Sequence, residues 1–148
     1  MSVCLVTGTS SGFGELIALE LARRGDTVVA TMRNTEKRNV LDAAAEAEGL
    51  VIEVEELDVT DDASVRACVG RVIGRHGRVD VLVNNAGIGR LGPIEEHADD
   101  EILDIFDTNV MGYIPCMRAL LPSMRAAKSR TTWSVTRRRA FIPRPLQG

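Results

Sequence analysis

Short runs of β-branched and aliphatic residues alternate with longer segments of helical spacing along the whole chain. The runs at residues 3–7, 27–32, 51–57, 79–84 and, more weakly, 131–136 predict buried strands of a parallel sheet, covered by helices on both faces. Between them, residues 14–24 place Leu16, Ile17, Leu19 and Leu21 around a helix that Gly25 stops. Residues 35–48 are rich in alanine, the best helix former, and end at Gly49. Thr60 or Asp61 is the expected cap of a helix whose apolar stripe is Val65, Cys68, Val69 and Val72. The longest helix is expected over residues 99–126, where Ile102, Ile105, Phe106, Val110, Ile114, Met117, Leu121 and Met124 recur at three- and four-residue steps. Pro115 and Pro122 are the expected sites of a kink or an early end. Strands and helices alternating through short connections imply right-handed crossovers, hence a doubly wound α/β domain with a parallel sheet. With no linker, repeat or low-complexity segment, residues 1–148 are expected to form a single domain.

Composition narrows the function classes. A chain with 45% hydrophobic and 26% charged residues has the balance of an ordinary globular protein. No apolar run approaches the roughly 18 residues of a membrane span, and the N-terminus carries no leader pattern. A membrane partner is therefore not expected, and the expected compartment is the cytoplasm. Cys4, Cys68 and Cys116 are few, odd in number and far apart, so they predict buried thiols rather than disulfides or a metal site. His76 and His97 have no ligand spacing around them and are expected at the surface. The net charge of −3 conceals an asymmetry: Asp107 is the last acid, and every later charge is basic. That basic stretch carries one Trp and one Phe, too few for a stacking platform, so nucleic acid is not an expected partner.

Candidate chemistry begins directly after the first strand, at Thr7-Gly8-Thr9-Ser10-Ser11-Gly12-Phe13-Gly14. Glycines there permit a sharp turn and a close backbone approach to a pyrophosphate, while a helix N-terminus supplies N–H donors and positive potential. The spacing T-G-x-x-x-G-x-G, rather than the common dinucleotide fingerprint G-x-G-x-x-G, resembles the short-chain dehydrogenase/reductase family. Leu57-Asp58-Val59, Asn84-Asn85-Ala86-Gly87 and Thr108-Asn109-Val110-Met111-Gly112 follow in the order of that family's motifs. The resemblance implies a Rossmann-type fold holding a nicotinamide dinucleotide. It places the cofactor against Thr7, Gly8, Ser10, Ser11, Gly12, Phe13 and Gly14, with Asp58 and Val59 at the adenine. Asn85, Ala86 and Gly87 would line the cleft and brace the sheet, and Asn109 would hold a water of the catalytic proton relay. It also implies a homo-oligomer, since the family's equivalent long helix pairs with its own copy.

The end of the second strand bears on the cofactor. An acid about 20 residues after the glycine loop would bind the ribose hydroxyls of NAD. Here Ala30-Thr31-Met32-Arg33-Asn34 offers none, and Arg33 is placed to bind a 2′-phosphate, with Arg38 as a second candidate. NADP is expected over NAD. The family's proton donor is a Tyr with a Lys four residues later, beside a Ser after the fifth strand. The only tyrosine is Tyr113, followed four residues later by Met117, and Arg137 stands in the serine's place. The chain is therefore expected to be the N-terminal portion of such an enzyme, C-terminally truncated before the Tyr-x-x-x-Lys motif. Three readings stay open: an oxidoreductase that interconverts a small apolar secondary alcohol and its ketone, a dinucleotide-binding module without turnover, and a fragment without function.

Overall fold

The computed structural model describes residues 1–127 and 131–135. Five parallel strands form one sheet in the order β3-β2-β1-β4-β5, with β1 Val3–Thr7, β2 Thr27–Met32, β3 Ile52–Glu56, β4 Val81–Asn84 and β5 Thr131–Ser134. Helices α1 (Phe13–Arg23) and α2 (Asn39–Ala47) cover one face; α3 (Asp62–His76) and α5 (Tyr113–Ala126) cover the other. The alternation of side chains along a strand explains the two cores. In β1, Cys4 and Val6 meet Ala18, Leu19 and Leu21 of α1, whereas Val3 and Leu5 belong to the cluster of Val65, Cys68, Val72, Cys116 and Leu120. The doubly wound parallel fold expected from the pattern is the fold observed. Cys4, Cys68 and Cys116 are buried free thiols, and burial pushes their pKa values up to about 12, about 11 and about 12.

Several expected elements differ in instructive ways. In α1 the buried set is Gly14, Ala18, Leu19 and Leu21, and Leu16 is exposed. Residues 35–48 open with a 3₁₀ turn, Thr35–Arg38, capped by Asn34, whose Oδ1 accepts from the Glu36 N–H at 2.9 Å. The strand expected to be buried at residues 51–57 is an edge strand. Ile52 and Val54 pack toward α2, but Glu53 and Glu55 face α3, where Arg71, Arg75 and His76 meet them. Both histidines, expected at the surface, are partly buried beside carboxylates: His76 lies 3.1 Å from Glu53 Oε1 and His97 lies 3.3 Å from Glu101 Oε2. β5 is short, and Thr132, Trp133 and Ser134 are exposed. Thr136 and Arg137 lie outside the described residues.

The expected 99–126 helix is two helices, α4 (Asp99–Phe106) and α5, joined by a π-turn at Asp107–Met111. The break falls just before Pro115, which lacks an N–H and stands in the first turn of α5, whereas α5 runs on through Pro122. Gly112 closes the turn, its N–H donating to Asp107 O at 2.7 Å, five residues back. A Cβ on Gly112 would lie 2.6 Å from Thr108 O and 2.7 Å from Val59 Cγ2, so only glycine lets the turn seat against Val59. The π-turn also resets the helical phase. Cys116, Leu120 and Met124 of α5 are buried, while Ile102, Phe106 and Val110 of the expected single stripe are exposed.

The β3–α3 ion pairs have a pH consequence. Glu55 is 11% exposed, and its carboxylate accepts from Arg71 Nε at 2.8 Å and Arg75 Nη2 at 2.6 Å. Burial alone would raise its pKa, but the two arginines outweigh burial and hold it below the usual carboxylate range. A depressed folded-state pKa gives stability that is full above the unfolded value, near 4.3, and lost as the pH falls through the folded value. Because both arginines are 46% exposed, screening limits the contribution to about 1 kcal/mol. Glu55→Gln is expected to lower the urea midpoint at pH 7 and to lower it less at pH 3, below the unfolded value. An equal loss at both pH values would rule out the ion pairs as the cause.

Candidate cofactor site

The chain winds from β1 outward through β2 to β3, then crosses to β4 on the other side of β1. At such a switch point the loops after the central strands diverge to opposite faces and leave a crevice at the strands' C-terminal ends. A cleft of about 150 Å³, open to solvent, occupies that place. Gly8, Ser10 and Ser11 form one wall; Met32, Arg33, Leu57, Asp58 and Val59 line the side toward β2 and β3. Asn85, Ala86, Gly87, Ile88 and Thr108 line the side toward β4 and the π-turn.

The glycine loop is built for close approach. Gly8 has φ 70°, and a Cβ there would lie 2.6 Å from Ala86 Cα. A Cβ on Gly14 would lie 2.2 Å from Gly8 O and 2.4 Å from Asn85 Nδ2. The loop thus folds back on itself and against the segment after β4 with no room for side chains. Helix α1 begins here behind Gly12, and no side chain caps its N-terminus. Its first N–H groups are therefore left to a ligand or solvent, at the positive end of the helix dipole.

Buried polar groups fix the two walls. The Thr7 hydroxyl, fully buried, donates to Val83 O at 3.4 Å and accepts the N–H groups of Asn85 and Ala86, each at 3.0 Å. Asn85 Nδ2 donates to Thr7 O at 3.0 Å and Gly8 O at 2.9 Å. Thr9 donates to Thr31 O through its N–H at 3.0 Å and its hydroxyl at 3.1 Å. Asp58 Oδ1 accepts from the N–H and hydroxyl of Thr60, at 2.9 and 2.7 Å, which orients the carboxylate at the cleft. Asn109, in the π-turn, clamps the backbone of Ile88: its Oδ1 accepts the Ile88 N–H at 2.7 Å and its Nδ2 donates to Ile88 O at 2.8 Å.

Of the residues singled out in the sequence, Gly8, Ser10, Ser11, Arg33, Asp58, Val59, Asn85, Ala86 and Gly87 line the cleft. Thr7, Gly12, Phe13, Gly14 and Asn109 do not line it; Thr7, Gly14 and Asn109 stand behind it as braces, and Phe13 is exposed at the start of α1. Arg38 is not brought to the cleft: its Nε is 2.6 Å from Asp42 Oδ2, one helical turn on. Tyr113 is also apart, its hydroxyl donating to Val135 O at 3.3 Å, and burial raises its pKa. Met32, Leu57, Ile88 and Thr108 also line the cleft; Leu57 and Thr108 open motifs that contain named candidates, Met32 ends β2, and Ile88 follows Gly87 with no motif of its own. Among the described residues, no group of three or more His, Cys, Asp or Glu is arranged to hold a metal, and no helix is long and apolar enough to cross a membrane.

This geometry has relatives of known identity. Retinol dehydrogenase 8 of Bos taurus is 45% identical over 125 residues, which are 82% of this chain and 39% of the relative. Estradiol 17-beta-dehydrogenase 1 of Rattus norvegicus is 42% identical over 137 residues, 86% of this chain and 38% of the relative. The chain thus spans about two fifths of the length of these relatives. Among solved structures, a metagenomic short-chain oxidoreductase in complex with NADP superimposes with a TM-score of 0.82 at 34% identity, covering 91% of this chain and 62% of that one. An actinorhodin polyketide ketoreductase with NADPH gives 0.82 at 32% identity, covering 90% and 52%. The family model for short chain dehydrogenase matches residues 2–132, which span the glycine loop, the cleft walls and the Asn109 clamp, and the chain belongs to that family.

Proposed function

We propose that this chain is the dinucleotide-binding portion of an NADP-dependent oxidoreductase that interconverts an apolar secondary alcohol and its ketone. The observation that carries the reading is the side-chain-free cradle of Gly8 and Gly14 closing on Asn85 and Ala86, with Arg33 on the adjoining wall. The residues present fit a nicotinamide dinucleotide. Gly8, Ser10, Ser11 and Gly12, with Phe13 and Gly14 at the uncapped start of α1, would hold the pyrophosphate. Arg33 would form a charge-assisted fork to the 2′-phosphate, and Asp58 and Val59 would flank the adenine. The Asn85-Ala86-Gly87 segment, braced from behind by Thr7, would form the wall beside the nicotinamide half. When bound, the dinucleotide supplies the reducing equivalents for the carbonyl. Asn109 keeps Ile88 and its loop in place, which supports a role in positioning the proton relay. The retinol and estradiol dehydrogenases among the relatives support an apolar alcohol as substrate. The three buried free thiols support a reducing compartment, the cytoplasm.

The choice of NADP over NAD rests on Arg33 in the cleft wall and on the lack of an acid at the end of β2. Titration at a fixed salt concentration is expected to give tighter binding of NADPH than of NADH. Arg33→Asp is expected to weaken NADPH by about 10- to 150-fold, the ~1.5–3 kcal/mol of a hydrogen bond to a charged group. Equal affinities in the unaltered chain would remove the basis for NADP.

A further inference from the structure

Tyr113 is the one tyrosine of the chain, and it does not line the cleft. Its hydroxyl stands where β4 and β5 part. Val135 carries the parallel ladder one step past the Asn84–Ser134 pair, donating its N–H to Asn84 O at 2.9 Å. Continued in the same register, the ladder would bring the Ala86 N–H to the Val135 carbonyl. The Ala86 N–H is turned the other way: with the N–H of Asn85 it donates to the Thr7 hydroxyl, each at 3.0 Å. Tyr113 fills the gap, its hydroxyl donating to Val135 O at 3.3 Å from the first turn of α5. A part-buried carbonyl therefore keeps a donor at the point where the segment after β4 swings away to line the cleft. The ring has a fixed base, since Gly112, one residue before it, is packed against Val59.

We propose that Tyr113 is a positioning residue for the cleft wall formed by Asn85, Ala86 and Gly87. Its hydroxyl satisfies the Val135 carbonyl, so that this segment can leave the ladder and stay with Thr7. Without it, the Val135 carbonyl and the Thr7 hydroxyl compete for one N–H, that of Ala86. The wall then samples a second position, in which β4 and β5 stay zipped for one residue more. The inference rests on the reading of the cleft as a dinucleotide site, in which this wall stands beside the nicotinamide half. The wall formed by Arg33 and Asp58 follows β2 and β3, on the far side of β1, and is outside that competition.

Tyr113→Phe keeps the ring and removes only the hydroxyl. The unaltered chain and this variant are each titrated with NADPH and with adenosine 2′,5′-bisphosphate, which carries the adenine half and no nicotinamide. The variant is expected to bind NADPH about three- to tenfold more weakly, the net contribution of one neutral hydrogen bond, and the bisphosphate as tightly as the unaltered chain. A role confined to stability would not separate the two ligands. The second readout is the backbone amide spectrum without ligand: the Ala86 resonance should shift in the variant, with those of β2 and α2 unmoved. Unchanged NADPH affinity, equal weakening of both ligands, or an unmoved Ala86 amide would each overturn the inference and leave the dinucleotide site standing. No saturable binding of either ligand to the unaltered chain would overturn the dinucleotide reading and the inference with it.

Discussion

Purified as these 148 residues, the chain will bind NADPH but will not measurably reduce a ketone with it. Reduction needs a proton donor poised at the developing alkoxide, and loss of a positioned general acid typically costs ~10²–10⁴ in rate. The one hydroxyl of the right kind, Tyr113, has Met117 rather than a lysine one turn later. It does not line the cleft, its proton is committed to Val135 O, and burial raises its pKa, away from the range of a useful acid at neutral pH. The assay is NADPH consumption with apolar ketones of the steroid and retinoid classes. Turnover that survives repurification and is lost on Asn109→Ala would show that the cleft completes its own chemistry.

Gly14→Ala is expected to be the most damaging single methyl group in the molecule. Its Cβ would stand 2.2 Å from Gly8 O and 2.4 Å from Asn85 Nδ2. The first neighbour is backbone, and the second is already bonded to both Thr7 O and Gly8 O, so neither can move without opening the junction of β1 with β4. Overpacking in a well-packed site costs roughly 1–3 kcal/mol and occasionally more; at about 3 kcal/mol NADPH affinity falls about 150-fold. Gly70→Ala, in α3 with open space around it, is the matched control and should leave binding intact. Binding within threefold of the unaltered chain for Gly14→Ala would mean that the loop does not close in this way.

Much of this was legible in the sequence because the signals are local. β1 and β2 have the bounds that the apolar runs predict, and α3 buries the four residues its stripe predicts. Nine of the proposed site residues line one cleft because motifs at strand ends converge wherever the sheet is parallel. Most of the differences have another cause, contacts between elements far apart in sequence. Residues 107–112 look helical, but Gly112 meets Val59, and no pattern within the segment announces that contact. The run at residues 51–57 predicts an interior strand, but Glu53 and Glu55, alternating with Ile52 and Val54, find their partners only where α3 brings Arg71 and Arg75 alongside. Arg38 was a fair candidate for the phosphate until the helix start put Asp42 within its reach.

The central claim is that the cleft between the glycine loop and the Asn85-Ala86-Gly87 segment holds NADP. The most direct test follows backbone amide resonances of the isotope-labelled chain as NADPH is added. Saturable shifts at Gly8, Ser10, Ser11, Arg33, Asp58, Val59, Ala86 and Gly87, with α3 and the ion pairs of β3 unmoved, are the expected result. Shifts that fail to saturate, or that saturate only outside the cleft, would contradict it.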